Sequence, residues 1–151
     1  MRQCFCTTKS ATGRRQGVSF MDLNKAGKKY APILVRYALS FVFLWFGLSQ
    51  LADQASFLGY LPQWTYHLPI APSTFVLLNG AFETLLGVLL ACGLFTRAAA
   101  LLLGLHLVGI AVSLGYNDIA IRDVGLALAT LAIFLQGSDD WCLERRWKGS
   151  A

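Results

Sequence analysis

Four runs of about twenty mostly apolar residues, each long enough to cross a bilayer core as a helix, dominate the chain. They are 33–52 "ILVRYALSFVFLWFGLSQLA", 73–93 "STFVLLNGAFETLLGVLLACG", 97–115 "RAAALLLGLHLVGIAVSLG" and 119–137 "IAIRDVGLALATLAIFLQG". Inside hydrocarbon a segment must satisfy its own backbone, so each run is predicted to be a helix. Only 14% of residues are charged, well under the roughly one quarter of a soluble domain. The expected class is an all-α membrane protein, a four-transmembrane-helix bundle with a short C-terminal interfacial helix. Residues 1–30 are expected to be a basic, disordered N-terminus, 31–140 the four-helix membrane domain, and 141–151 a basic amphipathic tail.

The spans are separated by the prolines Pro62, Pro69 and Pro72, by a turn at Phe95-Thr96, and by "YND" before the last. The net charge of +5 comes mainly from Lys and Arg at the two ends of the chain, a pattern of membrane-surface contact rather than nucleic-acid binding. Arg97 falls in the turn between spans 2 and 3, whereas the 53–72 loop carries no Lys or Arg. The positive-inside rule then sets both termini in the cytoplasm, in a multi-pass protein of the cell (inner) membrane. The aromatic, proline-rich 53–72 loop is expected to lie at the opposite interface with a short helix of its own. The segment "SDDWCLERRWK" opens with N-cap residues and mixes Trp with Arg and Lys, hence the interfacial helix. The first thirty residues lack the apolar core of a secretory signal, leaving a transit peptide or a start at Met21 as readings. Cys4, Cys6, Cys92 and Cys142 form no C-x-x-C and no zinc spacing, so no metal site is expected.

Each span carries small and polar residues at helical spacing. Arg36, Ser40, Phe43, Gly47 and Gln50 share a stripe in span 1, and Asn79, Glu83 and Gly87 in span 2, beside Gly80 and Thr84. Span 3 offers His106, Gly109 and Ser113; span 4 offers Arg122, Gly125, Ala129, Ala132 and Gln136. Such seams serve helix contact by letting backbones approach. Ionisable residues need more explanation, since burying one at the bilayer centre costs at least about 2.5 kcal/mol on insertion scales.

A rise of about 1.5 Å per residue puts Glu83 roughly 15 Å into span 2, and His106 at a similar level. Arg122 starts about 5 Å into span 4, and its long side chain covers much of the remaining distance. The predicted cluster is Glu83, Arg122, His106 and Asn79 facing a cavity, with Asp123 beside Arg122 near a helix N-terminus. A purely structural ion pair between spans 2 and 4 is the rival reading. Arg36, Gln50 and Arg97 are secondary candidates; Arg36 is expected to snorkel to phosphate if it belongs to no site.

The stretches "RYALSFVFLWFGLSQL", "GAFETLLGVLLACGLFTRAAALLLGLHL" and "NDIAIRDVGLALATLAIFLQG" resemble the DoxX family of small four-helix membrane proteins. Arg36, Gly47, Glu83, Gly87, Gly93, Thr96, Arg97, Arg122, Asp123 and Gly125 match the family pattern. The resemblance implies a membrane-embedded redox role, as in the membrane subunit of a thiosulfate:quinone oxidoreductase or of an oxidoreductase complex handling thiol stress. It points to a quinone as cofactor and an oxidoreductase as partner protein, besides the lipid bilayer. Two other functions stay open: a small-solute or proton transporter, which so short a chain would build as a homo-oligomer, and a structural or assembly protein without catalysis.

Overall fold

The computed structural model describes residues 18–144, with side chains from Lys25 onward. Four α-helices run in order: α1 (Val18–Ala52), α2 (Pro72–Cys92), α3 (Thr96–Leu114) and α4 (Asp118–Gln136). Among the described residues there is no strand. The last three helices lie within a residue or so of the expected spans. The first does not, because it begins at Val18 and carries Pro32 in its interior. Residues 18–30, expected to be disordered, are helical. Proline removes one backbone bond to the preceding turn, and residues 25–31 are exposed, so the freed carbonyl finds solvent or headgroups. Residues 1–17 and 145–151 lie outside the described residues, and with them most of the expected amphipathic tail.

Local chemistry sets the helix ends. Proline occupies the first turn of α2, where its missing N–H costs nothing. At the other end Gly93 adopts a left-handed conformation, φ 69°, and Leu94 N–H reaches back to Leu89 O at 3.0 Å. Asn117 caps α4 by accepting from the Ala120 N–H at 2.8 Å. The 53–72 loop forms two 3-10 helices, Ala55–Tyr60 and Gln63–His67, rather than one short helix. Trp64 packs edge-on against Phe75 of α2 at 5.8 Å, which folds this loop over one end of the bundle.

The helices associate as two pairs, α1 with α2 and α3 with α4, with sparser contact between the pairs. The first pair meets through Gly47 and Gly80. The second meets along Ala99, Ala100, Leu103 and Leu107 of α3 against Ala127, Thr130 and Ile133 of α4. The buried stripe of α4 is therefore Ala120, Asp123, Ala127, Thr130 and Ile133, not the expected Arg122, Gly125, Ala129, Ala132 and Gln136. Consecutive residues are about 100° apart on a helix, so with Asp123 buried in the packed stripe Arg122 falls on the more exposed flank of α4. The helix turns its small side chains and Asp123 to the core.

Among the described residues, three helices are long and apolar enough to cross a membrane: Lys25–Ala52, Pro72–Cys92 and Thr96–Leu114. The fourth, of 19 residues, carries Asp118, Arg122 and Asp123 in its first turns.

Candidate functional site

Between the two helix pairs, capped by the 3-10 loop, lies a cavity of about 760 Å³. Phe43, Phe46, Val76, Phe75, Leu107, Ile110 and Leu126 supply apolar walls, and Phe57, Tyr60 and Trp64 come from the loop. Gln50, Asn79, Glu83 and His106 form a polar floor, with Arg122 and Asp123 on the α4 side. Gly109 and Ser113, expected on the packed seam of α3, line this cavity instead.

Glu83 is the hub of the floor, and its side chain is 5% exposed. Gln50 Nε2 donates to its Oε2 at 3.0 Å. Asn79 Nδ2, one turn earlier on α2, donates to Oε1 at 3.3 Å and to Gln50 Oε1 at 2.8 Å. His106 Nε2 stands 3.3 Å from Oε1, with its ring 5.0 Å from that of Phe82. Three helices thus converge on one carboxylate.

Arg122 does not join this cluster, contrary to the expectation. Its Nε donates to Asp123 Oδ1 at 2.9 Å and its Nη2 lies 2.8 Å from the same oxygen. Its guanidinium covers the Phe46 ring at 4.7 Å from the centroid. A carboxylate on the next residue is an acceptor already in place, so the arginine pairs there while remaining on the cavity wall. Gln50, only a secondary candidate, takes the position facing Glu83.

Arg36 belongs to a second site at the far end of the bundle. It does not snorkel: it is 1% exposed, with Nε donating to Asp139 Oδ2 at 2.7 Å. Its Nη1 donates to the Leu90 and Ala91 carbonyls at 2.7 and 2.6 Å, in the last turn of α2, where carbonyls run short of intrahelical donors; Leu90 O also accepts from the Gly93 N–H at 3.2 Å. The side chain latches the segment after α4 onto α1 and α2. Cys142, fully buried, crosses Gly93 so closely that a Cβ there would lie 2.6 Å from its Cα. Its thiol meets Thr96 Oγ1 at 3.4 Å. Arg97 is exposed and packs on Gly137, at the same end and away from the Glu83 floor.

Asp139 and Cys142 were not singled out from sequence. The available signal was Arg36 itself: a guanidinium within an apolar helix needs an acceptor from another element.

Burial pushes the Asp139 carboxyl up, but hydrogen bonds from Arg36 and the Trp141 N–H outweigh it and hold it below the usual carboxylate range. A group with a lowered folded value contributes stability that is complete above its unfolded value, about 3.9, and lost as pH falls through the folded one. Unfolding midpoints should therefore be insensitive to this pair from neutral pH down to about pH 5 and fall only in stronger acid. Asp139→Asn should remove that acid step; an unchanged step would assign it to other carboxylates.

A helical bundle with apolar lipid-length helices around an aromatic-walled cavity defines a multi-pass membrane protein. The chain belongs to the DoxX family, which matches residues 31–115. No curated protein and no solved structure matches it.

Proposed function

We propose that this DoxX protein is the membrane subunit of a redox complex and holds a quinone-class or small sulfur-containing molecule in the Glu83 cavity. The observation that carries the reading is the division of the cavity: aromatic and aliphatic walls around one polar floor of Gln50, Asn79, Glu83 and His106. That is the composition expected of a pocket for a small, largely apolar ligand oriented by a few hydrogen bonds. In this reading α4 is a fourth span, its Asp123 buried with Arg122 as counter-ion. Both termini are cytoplasmic, supported by the basic residues at the Arg97 end and the aromatic loop at the other. The membrane is the inner membrane, and electrons are exchanged with an oxidoreductase partner.

Calorimetric titration of the purified protein in detergent with a short-chain benzoquinone, in either redox state, tests the cavity. We expect saturable binding that weakens about tenfold in Glu83→Gln and in Arg122→Leu, the size of one lost charge-assisted contact. Leu128→Ala, on an exposed face of α4, should bind as the parent does. Absence of saturable binding in both redox states would remove the ligand reading. Recovery of an oxidoreductase in mild-detergent pull-downs tests the partner; recovery of none, with proton-coupled uptake by the protein alone in liposomes, would favour transport.

A further inference from the structure

How a ligand reaches the Glu83 floor follows from what closes each edge of the cavity, an inference that rests on the cavity being a ligand site. The buried cluster that joins the two helix pairs, with Leu39, Leu90, Leu103 and Ile133, lies in the half of the bundle towards Asp139. There Arg36 also ties α1 to the segment after α4. In the other half the pairs enclose the cavity, and the loop covers its end. That loop is anchored to α2 by Trp64 against Phe75. It is also bound to itself, with Thr65 Oγ1 donating to Pro62 O at 2.7 Å and Tyr66 OH to Leu58 O at 3.2 Å. The two seams between the pairs are the remaining ways in.

The seam between α2 and α3 is crossed at floor level by the Glu83–His106 contact at 3.3 Å and by the Phe82 ring, 5.0 Å from the imidazole. Its wall is thin at Gly109 and Ser113, but Asn79, His106 and Ser113 border it, a poor lining for an apolar chain. At the seam between α1 and α4 the polar side chains bond elsewhere, Gln50 to Glu83 and Arg122 to Asp123 of its own helix. What spans the gap is the Arg122 guanidinium over the Phe46 ring. Val42 and Phe46 of α1 and Ile119 and Leu126 of α4 line the cavity and are only half-buried, and the Arg122 side chain is 46% exposed. The wall here is apolar and one side chain thick. Because Asp123 is its neighbour in sequence, Arg122 can leave Phe46 and keep its counter-ion, so this gap opens without stranding a charge in hydrocarbon.

We infer that the seam between α1 and α4 is the cavity's entrance from the bilayer, closed by Arg122 on Phe46, and that the ligand is a membrane-dissolved molecule with an apolar chain. The chain lies between Val42, Phe46, Ile119 and Leu126 while the polar head reaches the Glu83 floor. Arg122 is about 5 Å into α4 and Glu83 roughly 15 Å into α2 from the same end of the bundle, so the head passes about 10 Å beyond the gate and the chain is left in it. A cavity of about 760 Å³, in the upper part of the roughly 300–1,000 Å³ range of drug-sized pockets, takes a ring together with the start of such a chain. Within the proposed function, the site selects a lipid-soluble, chain-bearing quinone-class molecule over a small water-soluble sulfur compound.

The test is photolabelling of the full chain in phosphatidylethanolamine–phosphatidylglycerol nanodiscs, using a decyl-benzoquinone with a diazirine on the chain. Label that excess unlabelled decyl-benzoquinone competes away should map to residues 42–49 and 119–129, and excess thiosulfate should not displace it. Competed label on the 55–67 loop, or on 75–82 and 106–114, would overturn the inference while leaving the cavity a ligand site; so would displacement by thiosulfate. Stopped-flow quenching of tryptophan fluorescence, with Trp64 in the cavity wall, reads the rates. Phe46→Ala should speed association and dissociation of decyl-benzoquinone severalfold, and Phe46→Leu, which keeps an apolar side chain but removes the ring under Arg122, should do so to a smaller extent. Tyr66→Phe, which loosens the loop outside the cavity wall, should change neither rate. Unchanged rates in both Phe46 variants, or faster entry in Tyr66→Phe alone, would overturn the gate. Binding of a chainless benzoquinone with no competed label anywhere would overturn this inference alone, and no binding of either quinone would overturn the cavity reading with it.

Discussion

Replacing Arg36 by methionine is expected to cost about 3–5 kcal/mol of folding stability, the range for removing one partner of a buried ion pair. Methionine fills a similar volume, so the loss is electrostatic. Asp139, with a side chain 7% exposed, would keep its charge without a counter-ion. The carbonyls of Leu90 and Ala91 would lose the donor that now stands 2.7 and 2.6 Å away. A cation at a helix C-terminus is also favoured by the helix dipole, a further contribution the methionine lacks. Arg36→Lys should recover only part of the loss, since a point charge on one nitrogen cannot serve Asp139 and two carbonyls in a fixed plane. The double change Arg36→Met with Asp139→Leu should be more stable than Arg36→Met alone, because it removes the stranded carboxylate. Reversible unfolding in mixed micelles measures all three. A single-variant cost under about 1 kcal/mol, the figure for an exposed pair, would mean that water reaches the latch and that residues 138–144 do not hold the bundle end closed.

This latch also shows where sequence reasoning stops. The helix ends were legible because their signals are local: Pro72 opens α2, Gly93 closes it in a left-handed conformation, and Asn117 caps α4. The level shared by Glu83 and His106 was legible because rise along a helix is arithmetic. Direction around the helix was not. Arg122 has the depth to approach Glu83, but Asp123 turns inward and claims it, while Gln50 is brought to Glu83 by the α1–α2 crossing. Asp139 lies beyond the last periodic residue of α4, where hydrophobic spacing no longer says which way the chain goes. The helical start at Val18 was hidden by the basic, polar composition of residues 18–30, which carry no apolar run of the kind that marks the later helices.

The crossing that delivers Gln50 leads to the second large effect, at Gly47. A Cβ on Gly47 would lie 2.8 Å from the Thr84 backbone nitrogen, 2.9 Å from the Gly80 carbonyl and 2.5 Å from Thr84 Oγ1. Two of these neighbours are backbone of α2, so no side-chain rotation relieves the clash. The facing glycine is equally committed, with a Gly80 Cβ at 2.8 Å from the Gly47 carbonyl and from Gln50 Cβ. Between membrane helices no hydrophobic effect compensates a lost approach, since lipid is as apolar as the partner helix, so packing of this kind is a main source of association. Gly47→Ala is therefore expected to destabilise by about 1–3 kcal/mol, as overpacking does, and Gly47→Leu to prevent α1 from docking. Gly109→Ala and Gly125→Ala serve as references: nothing lies within 4 Å of either Cβ. Alanine there should be neutral or stabilise by about 0.5–1 kcal/mol, because glycine is the poorer helix residue. The functional consequence is specific as well. Pushing α1 away at Gly47 moves Gln50, one turn further on, off Glu83, and the carboxylate loses the donor at 3.0 Å. Ligand affinity should thus fall in Gly47→Ala and hold in Gly125→Ala. If the two alanine variants match in both stability and affinity, the close α1–α2 approach, and the positioning of Glu83 that depends on it, would have to be abandoned.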